Sequence, residues 1–161
     1  MEKESEISEK NENVRVLTDD SLDDSNKNLF FFEYNKNVVL PISIFNNGSL
    51  SALESISKYL KENLGLKYNE ISALLNRDQR TIWDAYNESK KKMQEKFFLD
   101  SSSCHIPVNV LFDRKLSVLE SIVSFLKEDY NLRYSQIAGL INRDQRTVWT
   151  VYSRSRKKKE K

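Results

Sequence analysis

At 161 residues, 39% hydrophobic and 31% charged, the chain has material for one ordinary packed domain or two small ones beneath a heavily ionic surface. Three glycines and two prolines are too few for an all-β chain of many tight turns, and the single cysteine, Cys104, excludes an internal disulfide framework and a cysteine-rich metal cluster. The formal charge of +2 conceals a gradient: nine acids against four bases over residues 1–28, nine against ten over 29–106, and six against twelve over 107–161.

The basic end, closing in RSRKKKEK, suits a nucleic-acid partner, with a solvated basic tail as the alternative. No stretch approaches the roughly 18 apolar residues of a spanning helix, and the N-terminal segment lacks the apolar run of a secretory signal. The expectation is a soluble cytoplasmic protein with no membrane partner. Residues 1–28 show no apolar period and are rich in Glu, Asp, Ser and Asn, the composition of a disordered acidic tail.

From Phe31 onward the chain repeats itself at an offset of 66. Phe31 and Phe32 align with Phe97 and Phe98, Pro41 aligns with Pro107, and 25 of the 52 positions in 41–92 are identical in 107–158. This is a duplicated unit, with copies at 29–94 and 95–161. Each copy opens on a short strand signal, VVLPISIF in the first and HIPVNVLF in the second, and the proline in each favours an edge position. A helical stripe follows: Leu50, Leu53, Ile56, Leu60 and Leu64 against Leu116, Leu119, Ile122, Leu126 and Tyr130. Ser51 with Glu54, and Ser117 with Glu120, have capping-box spacing at its start. Gly65 and Asn131, both able to take positive φ, stop it.

A second, shorter helix carries Tyr68, Ile71, Leu74 and Leu75 against Tyr134, Ile137, Leu140 and Ile141. Asn76 and Asn142 then stand where the chain must turn sharply, which suits Asn in the left-handed region. Asp78 and Asp144 are N-caps for a third helix over 79–92 and 145–158, with Ile82, Tyr86 and Met93, or Val148, Val151 and Tyr152, as its apolar stripe. The turn falls within NRDQRT, at 76–81 and unchanged at 142–147. Six residues so poorly suited to a core either shape a turn twice or touch the same kind of partner twice. The fold expected is mainly α, with two tandem tri-helical helix-turn-helix units, each preceded by a short β-strand segment.

The string GLKYNEISALLNRDQRTIWDAYNESKKK resembles region four of bacterial sigma factors and the related helix-turn-helix domains of simple regulators. It matches them in the aromatic-x-x-Ile that opens helix two, the Leu-Leu that closes it, the Thr-Ile after the cap of helix three and the trailing bases. As a duplicated unit it is also similar to an uncharacterised archaeal family. The resemblance implies DNA binding through the third helix, although the class also includes RNA-binding and protein-binding members. Three features depart from the pattern: Asn76 with Arg77 and Asn142 with Arg143 where Gly and an apolar residue are usual, Lys67 and Arg133 where a Ser or Thr cap is usual, and Trp83 and Trp149 where small or basic residues are common. A cation at a helix N-terminus opposes the macrodipole, so its recurrence points to a phosphate partner or to simple solvent exposure.

On the third helix Gln79, Arg80 and Trp83, with Gln145, Arg146, Trp149 and Thr150, lie away from the apolar stripe. Arg can bond two acceptors on guanine and Gln two groups on adenine, which makes these first turns candidate base readers. Local pairing of Arg80 with Asp84 is the alternative, but Asp84 becomes Thr150 while Arg146 stays Arg. Asp78 and Thr81 are expected to be structural. Trp83 and Trp149 are expected beside the core or the seam between copies, with stacking on nucleic acid as the alternative. Lys90, Lys91, Lys92, Arg154, Arg156, Lys157, Lys158 and Lys159 are candidate phosphate contacts or a solvated helix end, and Arg77 and Arg143 join the candidate set. His105 beside Cys104 has no equivalent in the first copy, and no phosphate loop or paired-carboxylate motif appears, so no catalysis, cofactor or metal is expected. The function expected is a double-stranded DNA-binding, nucleoid-associated transcriptional regulator built as a covalent pseudo-dimer. The alternatives are a structured-RNA or ribosome-associated protein and an adaptor that grips a protein partner such as polymerase.

Overall fold

The computed structural model describes residues 38–99 and 104–161, which are mainly helical with one short two-stranded sheet. The acidic tail expected at 1–28, with Phe31 and Phe32, lies outside the described residues. Val39–Lys161 forms one compact unit, to which the two sequence repeats contribute jointly. No helix among the described residues is long and apolar enough to cross a membrane.

The strand signals form β1 (Val39–Pro41) and β2 (His105–Pro107), which pair antiparallel with each other. The register sets Leu40 opposite Ile106, its own equivalent in the other repeat, so the ribbon relates the repeats by a local two-fold. Leu40 and Ile106 are both fully buried. Each strand ends at its proline, which has no N–H to extend a ladder, and runs into a 3₁₀ turn, Ile42–Phe45 or Val108–Leu111. In a two-stranded ribbon both strands are edges, where proline is tolerated.

The helices follow in the order α1 (Ala52–Lys58), α2 (Tyr68–Leu75), α3 (Gln79–Lys92), then α4 (Val118–Glu128), α5 (Tyr134–Leu140) and α6 (Gln145–Lys159). Both capping boxes form. Glu54 Oε2 accepts the Ser51 N–H at 3.0 Å and Ser51 Oγ accepts the Glu54 N–H at 3.3 Å, and the corresponding distances for Ser117 and Glu120 are 2.8 and 3.2 Å. Gly65 (φ 70°), Asn76 (48°), Asn131 (50°) and Asn142 (49°) all occupy the left-handed region at the stops expected of them. Asp78 accepts the N–H of Arg80 at 2.9 Å, and Asp144 that of Arg146 at 2.8 Å.

The apolar stripes converge as their period requires. Ile56, Leu60, Ile71, Leu75, Ile82, Ile122, Leu126 and Ile137 are fully buried, each contributing about 1.5–3 kcal/mol. Leu53, Leu64 and Leu119 are only half-buried, and Tyr130 is exposed with its hydroxyl donating to the His105 carbonyl at 3.1 Å. One local departure concerns α1, whose last turn widens into a π-helix over Tyr59–Asn63 while α4 remains α-helical. Within each repeat the first helix packs on the third. Across repeats α1 packs on α4, and the 3₁₀ turn of each packs on the second helix of the other.

Candidate nucleic-acid interface

The turn between the second and third helix is built by local bonds. Asn76 turns the chain left-handed, the Arg77 N–H returns to the Ser72 carbonyl at 3.0 Å, and Ser72 Oγ donates to the Arg77 carbonyl at 2.6 Å. In the second repeat the Arg143 N–H returns to the Ala138 carbonyl at 3.0 Å. The aspartate caps then start α3 and α6 with Ile82 and Val148 facing inward. Gln79, Arg80, Gln145 and Arg146 are exposed, and their side chains make no hydrogen bond or ion pair among the described residues. The alternative pairing of Arg80 with Asp84 does not form.

Trp83 and Trp149 are 52% and 55% exposed. Neither is buried in the core, because their positions point away from the Ile82 and Val148 sides of their helices. Trp149 instead lines an open groove with Tyr134, Gln145 and Arg146. Thr150 is half-buried, and its hydroxyl is engaged by the Arg146 carbonyl of its own helix at 2.9 Å.

The turn arginines, expected on nucleic acid, hold the seam. Arg77 donates to the Leu116 carbonyl at 3.0 Å. Arg143 donates to the carbonyls of Leu50 at 2.8 Å and Asn47 at 3.0 Å. Leu50 and Leu116 are repeat equivalents, so each arginine reaches the chain just before the other repeat's first helix. A guanidinium carries five donors in a fixed fork and suits carbonyls that no ladder satisfies. Burial first, then the neighbouring Arg114 cation, holds the Arg77 pKa below its usual value, with Asp113 acting the other way. It remains charged in any ordinary buffer. Asn76 adds a bond from Nδ2 to the Phe112 carbonyl at 3.1 Å.

The basic helix ends are also partly spoken for. Lys92 bonds Glu54 at 2.9 Å and Lys158 bonds Glu120 at 2.7 Å, another equivalent pair. Both carboxylates are the capping-box residues, so each lysine ties the end of the third helix to the start of the first. Burial by itself pushes Glu120 up, but the Lys158 ammonium and the Ser117 N–H and hydroxyl outweigh it and hold the carboxyl below its usual range. Lys91 pairs with Glu88, Arg156 with Glu160 and Lys159 with Glu128, while Lys90 lies over the Tyr86 ring at 5.8 Å. These are exposed pairs on helix surfaces, where the geometry allows but does not oblige release to a phosphate.

Arg154 and Lys157 are exposed without a carboxylate partner among the described residues. Lys67 and Arg133 are exposed N-cap residues whose side chains have no acceptor to offer. Their backbone N–H groups are accepted by Glu70 at 2.6 Å and Gln136 at 2.9 Å. The Glu70 carboxylate also offsets Lys67 at the positive end of α2. Two further cations, Arg114 and Lys115, are exposed in the turn before α4. They carry a signal that alignment of the repeats reveals: they replace Gly48 and Ser49.

No family model, curated protein or solved structure matches the chain.

Proposed function

We propose that the chain is a double-stranded DNA-binding protein and transcriptional regulator acting on the nucleoid, in which each repeat is a helix-turn-helix unit and α3 and α6 are the recognition helices. The carrying observation is the exposed first turn Gln79, Arg80 and Trp83, which recurs as Gln145, Arg146 and Trp149 and whose polar side chains pair with nothing among the described residues. Arg can bond guanine O6 and N7, Gln can bond adenine N6 and N7, and a tryptophan edge offers apolar contact to a thymine methyl. Lys67, Arg133, Arg154 and Lys157 supply phosphate contacts, which position the readers without specifying sequence. The two-fold relation of the ribbon and the seam arginines supports inverted half-sites, one per repeat. Duplex DNA is favoured over duplex RNA because the A-form major groove is too deep and narrow to admit a helix.

The test is selection of bound fragments from random duplex DNA with the full chain, followed by titration of the selected site. Enrichment of an inverted repeat is expected. Arg80→Ala and Arg146→Ala should each cost about 1–3 kcal/mol on that site and relax the sequence preference. A double variant that binds the site as tightly as the parent chain, or a structured RNA that outcompetes it, overturns the reading.

A further inference from the structure

The seam between the repeats opens into a groove of about 700 Å³. Five cations line it: Arg77, Arg114, Lys115, Arg143 and Lys158. No carboxylate of the described residues lines it. Four acids stand nearby: Glu54, Asp78, Asp113 and Glu120. Glu54 accepts the N–H of the lining Ser51 at 3.0 Å while it holds Lys92, and Asp78 accepts that of the lining Thr81 at 3.4 Å. Glu120 holds Lys158, and Asp113 is close enough to act on Arg77 while its carboxylate accepts the Lys115 backbone N–H at 2.8 Å. Arg77 and Arg143 are bonded to backbone carbonyls, which orient a guanidinium without neutralising it. Arg114 and Lys115 are exposed, and their side chains make no hydrogen bond or ion pair among the described residues. The five lining cations with Lys92 therefore outnumber the four acids by two, an excess of positive charge that favours an anionic partner.

The groove also has a position relative to the candidate readers. Thr81, next to Arg80 in the first turn of α3, is one of its walls, and Ser117 with Val118 at the start of α4 is another. An extended polyanion lying in it would pass directly beside the first turn of α3. The groove is open to solvent, which suits a continuous backbone better than a small enclosed ligand.

We infer that the seam groove is a contact surface for the phosphodiester backbone of duplex DNA, with Arg114 and Lys115 as its outer contacts and the seam arginines as the fixed charge behind them. The inference rests on the duplex-DNA reading above and deepens it. It also makes the two repeats unequal, because Gly48 and Ser49 stand where Arg114 and Lys115 stand in the second. Backbone neutralisation lowers the logarithm of affinity linearly with the logarithm of salt, by about 0.9 per phosphate contacted.

The experiment compares the full chain with the variant carrying Arg114→Gly and Lys115→Ser, a pair of residues that the first repeat already accommodates at the equivalent turn. Affinity for one duplex lacking the selected site is measured between roughly 50 and 200 mM salt. The expected result is a slope shallower by about 1.8, with the sequence preference in fragment selection unchanged. Lys96→Gln, which removes an exposed cation that does not line the groove, should leave the slope as it was. An unchanged slope in the double variant, with duplex binding intact, overturns the groove and leaves the recognition helices standing. Shallowing by Lys96→Gln of about 0.9, half that of the double variant, overturns it too, since the effect would then be one of total charge. If the parent chain binds no duplex at all, the groove and the proposed function fall together.

Discussion

The two repeats carry the same apolar frame but solve one interior problem differently. In the first, Lys58 is fully buried in α1 and donates to Glu62 at 2.8 Å, while Glu62 also accepts the Tyr86 hydroxyl at 3.2 Å. The helix widens into its π turn at the next residue. In the second repeat Ser124 replaces Lys58 and shares a 2.6 Å hydrogen bond with Ser155, and the helix stays regular. Glu128, the equivalent of Glu62, turns outward to Lys159 at 2.8 Å. A carboxylate at the same position thus reaches the third helix by a tyrosine hydroxyl in one copy and by an ammonium in the other. The contact of the flanking tyrosine rings survives in both, edge-on at 5.9 Å for Tyr68 and Tyr86 and tilted at 6.0 Å for Tyr134 and Tyr152. The frame is held by packing, the turn and the seam, and leaves the interior polar groups free to diverge.

The sharpest way to break this comparison is to truncate the two interior groups. Lys58→Ala leaves Glu62 without its buried partner and should destabilise the chain by about 3–5 kcal/mol. Ser124→Ala removes one neutral hydrogen bond and should cost about 1 kcal/mol. Urea unfolding of the full chain measures both, and equal losses would mean that the buried pair contributes no more than the serine pair.

The seam arginines come next. Arg77→Ala should cost about 1.5–3 kcal/mol, the range for a charged hydrogen bond, and Arg143→Ala more, because Arg143 holds two carbonyls across the seam where Arg77 holds one. Unfolding midpoints give the order. If both variants unfold like the parent chain, the seam bonds do not stabilise the fold, and any loss of affinity for DNA is then the loss of the groove's charge alone.

A smaller effect separates the repeats by pH. The Glu120 carboxyl is held below its usual range in the folded chain, so its contribution is present at pH values above the unfolded carboxylate pKa and is lost as pH falls through the folded one. Lys158→Met should remove most of that acid-side loss. A stability profile below neutral pH that is the same with and without Lys158 would show that the pair is idle.

The smallest expectation is spectroscopic. Burial, the Glu62 charge and the Glu62 hydrogen bond push the Tyr86 phenol from 10.0 to about 12. Stability from its protonated form is complete below pH 10.0 and is lost as pH rises through about 12. Tyr86→Phe should delete the latest step of the tyrosinate absorbance titration. Persistence of that step would assign it to another tyrosine whose pKa burial raises, Tyr59, Tyr68 or Tyr152.

What the sequence determined by itself was the set of features decided within a few residues. The capping boxes at Ser51 and Ser117, the aspartate caps, the left-handed stops at Gly65, Asn76, Asn131 and Asn142 and the stripe through Ile56 and Ile122 depend on local geometry and periodicity, so their residue types announce them. The exposure of Arg80 and Arg146 was legible for the same reason, as residues off the stripe of an amphipathic helix. Only the tertiary structure decided the partners of the other cations. Arg77 finds Leu116 at a separation of 39 residues, Arg143 finds Leu50 at 93, and Lys158 finds Glu120 at 38. A long cationic side chain is equally suited to a phosphate, a carboxylate or a carbonyl, and which acceptor lies within reach is set by how the two repeats close on each other. That closure follows from β1 pairing with β2 across the duplication, a choice no window of sequence contains.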